Sequence, residues 1–126
     1  MATALVIDDV PAFATLVRMV LESHGHTVTE RYDSAEGIAL ALRQPFDVVI
    51  VDMIMPGIDG IETVKRLRAG GSRAAVIAVS GGSHDFPASA ALTLSQMHGA
   101  DRLLFKPFAN DELVATVDEL LAVPRG

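Results

Sequence analysis

Residues 50–57 read Ile-Val-Asp-Met-Ile-Met-Pro-Gly. Phe46 and then Val48 to Val51 run apolar into this stretch. A single carboxylate, Asp52, follows, and after three more apolar residues the Pro56-Gly57 pair turns the chain. A short apolar run bounded by turn residues predicts a strand buried on both faces, as in a parallel sheet. An ionised carboxylate at the tip of such a strand is costly unless something positive meets it. Asp52 therefore calls for a cationic partner from elsewhere in the chain.

Working outward, the same alternation recurs. Residues 4–7 predict a strand ending in Asp8-Asp9. Pro11 opens a helix with Asp9 or Val10 near its cap, and Phe13, Leu16, Val17, Val20 and Leu21 follow at helical spacing until Gly25. Residues 26–31 predict a weak strand anchored by Val28. Ser34 predicts the N-cap of a helix carrying Ile38, Ala41 and Leu42, with Pro45 just past its end. After the strand at residues 46–51, Pro56-Gly57 and Asp59-Gly60 mark a turn-rich loop. Ile61, Val64, Lys65 and Leu67-Arg68 form a helix closed by Gly70-Gly71. Residues 74–79 predict a strand ending in Ser80-Gly81-Gly82, and residues 88–97 a small-residue helix stopped by Gly99. Residues 102–105 predict a fifth strand ending in Lys106-Pro107-Phe108. Leu113, Val117, Leu120 and Leu121 define a last helix capped by Asn110 or Asp111.

Five strand-then-helix units in series predict an α/β domain: a doubly wound parallel sheet with helices on both faces, one domain over residues 1–126 with no output module. At that length roughly two-thirds of the unfolded surface is buried. No apolar run reaches the roughly 18 residues of a membrane span, and the first residues lack a signal-peptide pattern, so a cytoplasmic protein is expected. With no cysteine, disulfides and thiolate metal sites are excluded. A net charge of −6, no tryptophan and one tyrosine argue against nucleic-acid binding.

Ligands of open parallel sheets bind outside the carboxyl ends of the strands. Those ends carry Asp8-Asp9, Asp52, Ser80 and Lys106. Three clustered carboxylates repel one another. A hard divalent cation with oxygen ligands, Mg²⁺, relieves that repulsion and leaves room for a phosphate oxygen. Lys106 supplies a point positive charge and Ser80 a hydroxyl donor. Such a site suits a transferring phosphoryl group, with a carboxylate as nucleophile.

Taken together, Asp8-Asp9, "VDMIMPGIDG" around Asp52, "AVSGG" at Ser80 and "LFKPF" at Lys106 resemble a bacterial two-component response-regulator receiver domain of the CheY-like type, over essentially the whole chain. The resemblance implies a flavodoxin-like strand order of 2-1-3-4-5. It implies that Asp52 is the phosphoacceptor, taking its group from a sensor histidine kinase or histidine phosphotransfer protein. Asp9, Asp52 and the Met53 backbone carbonyl would ligate Mg²⁺, with Asp8 acting through water. Lys106 would pair with the phosphoryl group, Ser80 would hydrogen-bond it, and the Lys106–Pro107 peptide would be cis. The protein would catalyse its own phosphorylation and dephosphorylation rather than turn over a separate substrate. Its output would be a face built by the fourth helix, fifth strand and fifth helix, on a monomer or weak homodimer.

The chain departs from the pattern in two places. The position three before the lysine, usually aromatic, is Leu103, so the usual coupling of hydroxyl and aromatic side chains is in question. Phe105 lies on the same strand face, nearer the site. The interval from Ser80 to Lys106 is also long, with the surplus placed in a glycine-hinged loop at residues 81–87, expected to respond to phosphorylation. Two other readings compete with this one. A pseudo-receiver would bind partners without phosphate, but all five site residues are present. An aspartate-nucleophile phosphatase would carry a second carboxylate two residues after the first, where this chain has Ile54. His24 and His26 read as solvated loop histidines, Met53 and Met55 as space-fillers beside the site, and Arg66, Arg68 and Arg73 as a solvated basic face.

Overall fold

Short runs of Val, Ile and Leu build the centre of the sheet. The structure is a computed structural model describing residues 1–81 and 99–123. Its strands are β1 (Thr3–Ile7), β2 (Thr27–Arg31), β3 (Val48–Asp52), β4 (Ala75–Ser80) and β5 (Arg102–Phe105). Its helices are α1 (Pro11–Glu22), α2 (Ser34–Arg43), α3 (Gly60–Ala69) and α4 (Asn110–Leu121). All strands pair in parallel, in the order β2-β1-β3-β4-β5. Every residue of β3 and β4 is buried, while the edge strands β2 and β5 are partly exposed. The predicted fold and strand order are therefore the observed ones. The helix predicted at residues 88–97 and most of the loop before it lie outside the described residues.

Strand alternation divides the core in two. Ala4, Val6, Val48, Ile50 and Ile77 face α1 and α4, meeting Val17, Leu21, Leu113 and Val117. Leu5, Ile7, Val49, Val51 and Val76 face α2 and α3, meeting Ile38, Ala41, Val64 and Leu67. A polar tether fixes α1 against β2: the Glu30 carboxylate accepts from Thr15 Oγ1 at 3.0 Å, from the Tyr32 hydroxyl at 2.8 Å and from the Arg18 guanidinium.

Several boundaries differ from the sequence reading. β3 starts at Val48 rather than Phe46 and includes Asp52. Ahead of it the Asp47 carboxylate accepts the Thr3 N–H at 2.9 Å, while Phe46 turns onto the α2–α3 side of the core. β2 starts at Thr27, because His26 turns inward and its Nδ1 accepts the Ala2 N–H at 3.1 Å. β4 is shifted by one residue, to end on Ser80 itself. The cap of α2 is Asp33, which accepts the Glu36 N–H at 3.0 Å; Ser34 is the first helical residue, buried, and donates to Ile58 O at 2.7 Å. At α4 the cap position is Ala109, with no side-chain bond; Asp111 and Glu112 lie in the first turn, where the helix dipole favours carboxylates.

The basic face also divides. Arg66 is exposed and paired with Glu62, as a solvated residue would be. Arg68 instead turns inward to donate to Ser72 O, Ala74 O, Gly99 O and Asp101, clamping the end of α3 to the β4–β5 edge.

Candidate functional site

Parallel strands bring their carboxyl ends to one edge, and the predicted residues converge there. Asp8 follows β1 directly and is 1% exposed. Its Oδ1 accepts the Val10 N–H at 2.8 Å, which shapes the turn into α1. Asp9 is exposed. Asp52, the last residue of β3, is buried, and its Oδ1 accepts the Ile54 N–H at 3.0 Å. Carboxylate oxygens of Asp8, Asp9 and Asp52 all lie within 4.8 Å of one another. The cation that the buried strand end requires is Lys106: its Nζ stands 3.1 Å from Asp8 Oδ2 and 3.5 Å from Asp52 Oδ2. Lys106 is placed by its own N–H donating to Ser80 O at 2.7 Å, which ties the end of β5 to the end of β4. The Lys106–Pro107 peptide is cis, as expected. Ser80 is fully buried, opposite Phe105 in the β4–β5 register.

Burial is the largest influence on the Asp52 carboxyl and pushes it above the usual carboxylate range. The Ile54 N–H and Lys106 pull it down, and the charges of Asp8 and Asp9 push it up. A folded-state value above the unfolded one means that ionised Asp52 costs stability. That cost is absent below the ordinary carboxylate pKa of about 4 and complete once pH has risen past the raised value. Asp52→Asn is therefore expected to melt above wild type at neutral pH in metal-free buffer, with the gap closing as pH falls through the carboxylate range. Lys106 keeps Asp8 as its partner in that variant. Paired thermal melts across pH check this, and equal melting temperatures at pH 7 would contradict it.

The donor set fits a hard cation. All of its side-chain donors are carboxylate oxygens, gathered within 4.8 Å of one another, and such oxygens are the ligands that Mg²⁺ takes. Met53, next to Asp52, is buried; its carbonyl accepts the Gly60 N–H at 3.1 Å and keeps a second lone pair. Met53 and Met55 fill space beside the site, as expected.

The switch positions separate. Leu103 is half-buried and packs on Met53 and Ala78. Phe105, on the same strand face, is 41% exposed. Sequence reasoning missed two contributors. Phe13 reads as a core residue of α1, yet Lys106 Nζ sits 4.0 Å from its ring centroid. Gly60 reads as a turn residue, yet a Cβ there would come within 2.5 Å of Met53 Cα. A hollow of about 720 Å³ lies at the opposite end of the sheet, near Phe46 and Gly71, away from this chemistry.

Residues 4–118 match the family model for the response regulator receiver domain. Protein PilH of Pseudomonas aeruginosa is 30% identical over 97% of this chain and 99% of its own length. The chain spans about half the length of other curated relatives it matches. Among solved structures, the receiver domain of Francisella response regulator 1452 superposes with a TM-score of 0.85 at 30% identity, covering 96% of this chain and 97% of that one. The receiver domain of the Pseudomonas aeruginosa PAO1 sensor histidine kinase PA1611, which holds a magnesium ion in its active-site cleft, superposes with a TM-score of 0.84 at 25% identity, covering 97% and 98%.

Proposed function

Since the chain belongs to the response regulator receiver family of two-component signalling, we propose that Asp52 accepts a phosphoryl group from the phosphohistidine of a sensor kinase or phosphotransfer protein. One observation carries the reading: Lys106 Nζ lies 3.1 Å from Asp8 and 3.5 Å from Asp52, inside a cluster of three carboxylates. An Asp52 oxygen attacks phosphorus, the acyl-phosphate bond forms and the bond to the donor imidazole breaks. Lys106 neutralises charge on the transferring oxygens, and the Ser80 hydroxyl, at the end of the neighbouring strand, would donate to one of them. Asp9, Asp52 and the Met53 carbonyl would hold Mg²⁺, with Asp8 through water. Bound there, the ion would supply charge neutralisation and orientation of the phosphoryl oxygens.

On this reading the protein modifies itself and signals by binding, and is not a turnover enzyme on a separate substrate. The output face would include β5, with Leu103 and Phe105, and α4. Among the described residues no helix is long and apolar enough to cross a membrane, and a cytoplasmic place of action fits a kinase partner.

The test is intact-protein mass after incubation with acetyl phosphate, with and without Mg²⁺. Wild type is expected to gain one phosphoryl group only with Mg²⁺, and Asp52→Ala to gain none. A Mg²⁺-independent gain, or an equal gain in the variant, would refute the assignment. Ile54, 50% exposed at the mouth of the site, has no group that activates water. The acyl phosphate is therefore expected to outlast seconds, which a decay course by the same mass readout measures.

A further inference from the structure

Loading the site would change the contacts of Lys106. Among the described residues it has three partners, and two of them, Asp8 and Asp52, are the carboxylates that a metal and a phosphoryl group would claim. The third is not a charge: the ammonium stands over the Phe13 ring, 4.0 Å from its centroid. That ring is half-buried in the first turn of α1, just after the acidic pair, and is braced edge-on by Phe108, with centroids 5.8 Å apart and planes at 85°. The short segment from Asp8 to Phe13 thus supplies both the acidic ligands and a surface for the lysine. A cation over an aromatic face is held by the ring quadrupole, an attraction that a desolvated setting strengthens.

Resting on the receiver reading above, we propose that Phe13 is a positioning residue for phosphoryl transfer. Its ring holds the Lys106 ammonium at the mouth of the site when Asp8 and Asp52 turn to metal and phosphoryl group. The contact costs no carboxylate, so it survives loading. A packing role is the competing account, because Phe13 also lines an apolar hollow of about 200 Å³ with Leu16, Phe108 and Leu113. The two accounts separate by chemistry. Packing depends on shape, whereas hold on a cation depends on the electron density of the ring.

The experiment incorporates mono-, di- and trifluorinated phenylalanine at position 13 of the full chain, beside Phe13→Leu. Phosphorylation rates with acetyl phosphate and Mg²⁺ are read by intact mass, with thermal melts and Mg²⁺ affinity as controls. The rate is expected to fall stepwise with fluorination while melting temperature and Mg²⁺ affinity hold. In Phe13→Leu it should fall roughly 5- to 30-fold. The Lys106 ε-methylene protons, shifted upfield by the ring in wild type, should return downfield in Phe13→Leu. A flat rate across the fluorine series overturns the positioning role even if Phe13→Leu fails to fold. A wild type that takes up no phosphoryl group overturns the receiver reading and this proposal with it.

Discussion

Lys106→Met is expected to slow phosphoryl uptake by about 10²- to 10³-fold, the scale on which losing one preorganised charge-stabilising donor acts, while Mg²⁺ binds more tightly than in wild type. The two effects have one cause. In the metal-free protein the ammonium occupies the cationic role among three carboxylates, 3.1 Å from Asp8 and 3.5 Å from Asp52. A metal entering the cluster must take those carboxylates from it. Removing the lysine removes the competitor and leaves Asp8 and Asp52 buried without a cation, so the variant should melt below wild type without Mg²⁺ and regain much of the loss when Mg²⁺ is added. Transfer has the opposite requirement. As the phosphoryl group moves, a bound metal would neutralise one side of it, and the other side would lack the positive charge that Lys106 supplies. Methionine preserves the aliphatic length but not the charge, so packing against Phe13 survives. Mg²⁺ titrations and mass-detected rates on the same samples check both halves. A parallel loss of Mg²⁺ affinity and rate would show that Lys106 holds the site together rather than competing within it.

That Asp52 needed a cation was legible from residues 50–57, because a carboxylate ending a buried strand has few physical solutions. That Lys106 supplies it followed from parallel topology, which sends every strand end to one edge. Short apolar runs, and at β2 the single anchor Val28, placed all five strands to within two residues. The misread boundaries were those where side chains compete for backbone groups. Asp33 and Ser34 are both good caps by residue type, and the choice fell to Asp33 because Ser34 finds a better partner in Ile58 O, far along the chain. Arg68 read as solvated because nothing local reveals that Ser72, Ala74 and Gly99 leave carbonyls within its reach. Phe13 has the same character. Its spacing marks the apolar face of α1, correctly, but that the rim of this face meets an ammonium depends on the path of β5. Helical periodicity reports which side of a helix is inside, and says nothing of what stands at its edge.

Gly60→Ala poses a contest between two effects of known size. Glycine in a helix interior costs about 1 kcal/mol relative to alanine, an upper limit for the first helical position, so helix propensity alone predicts stabilisation. Space predicts the reverse. A Cβ at position 60 would meet Met53 Cα at 2.5 Å, Met53 Sδ at 2.7 Å and Asp52 O at 2.8 Å. The methionine sulfur can swing away, but the Met53 Cα and Asp52 O are backbone at the end of a fully buried strand and cannot. Overpacking of this kind costs roughly 1–3 kcal/mol and occasionally more. With backbone on two of the three contacts, the upper end applies and outweighs propensity. The expected net loss is about 2 kcal/mol, or roughly 8 °C in melting temperature for a domain of this size. Function should suffer separately. The Gly60 N–H holds the Met53 carbonyl at 3.1 Å, and pushing α3 away from β3 moves that carbonyl and the adjacent Asp52 together. Mg²⁺ affinity is then expected to fall about tenfold, the loss typical when support behind a metal ligand is removed. Gly57→Ala is the contrast. Its φ of 78° makes a side chain strained, but nothing lies within 4 Å, so only a backbone cost of about 1 kcal/mol applies. Melts and Mg²⁺ titrations of both variants decide the matter. A Gly60→Ala protein melting at or above wild type would mean that α3 shifts freely against β3, and that the Met53 carbonyl is not held in place by the contact at Gly60.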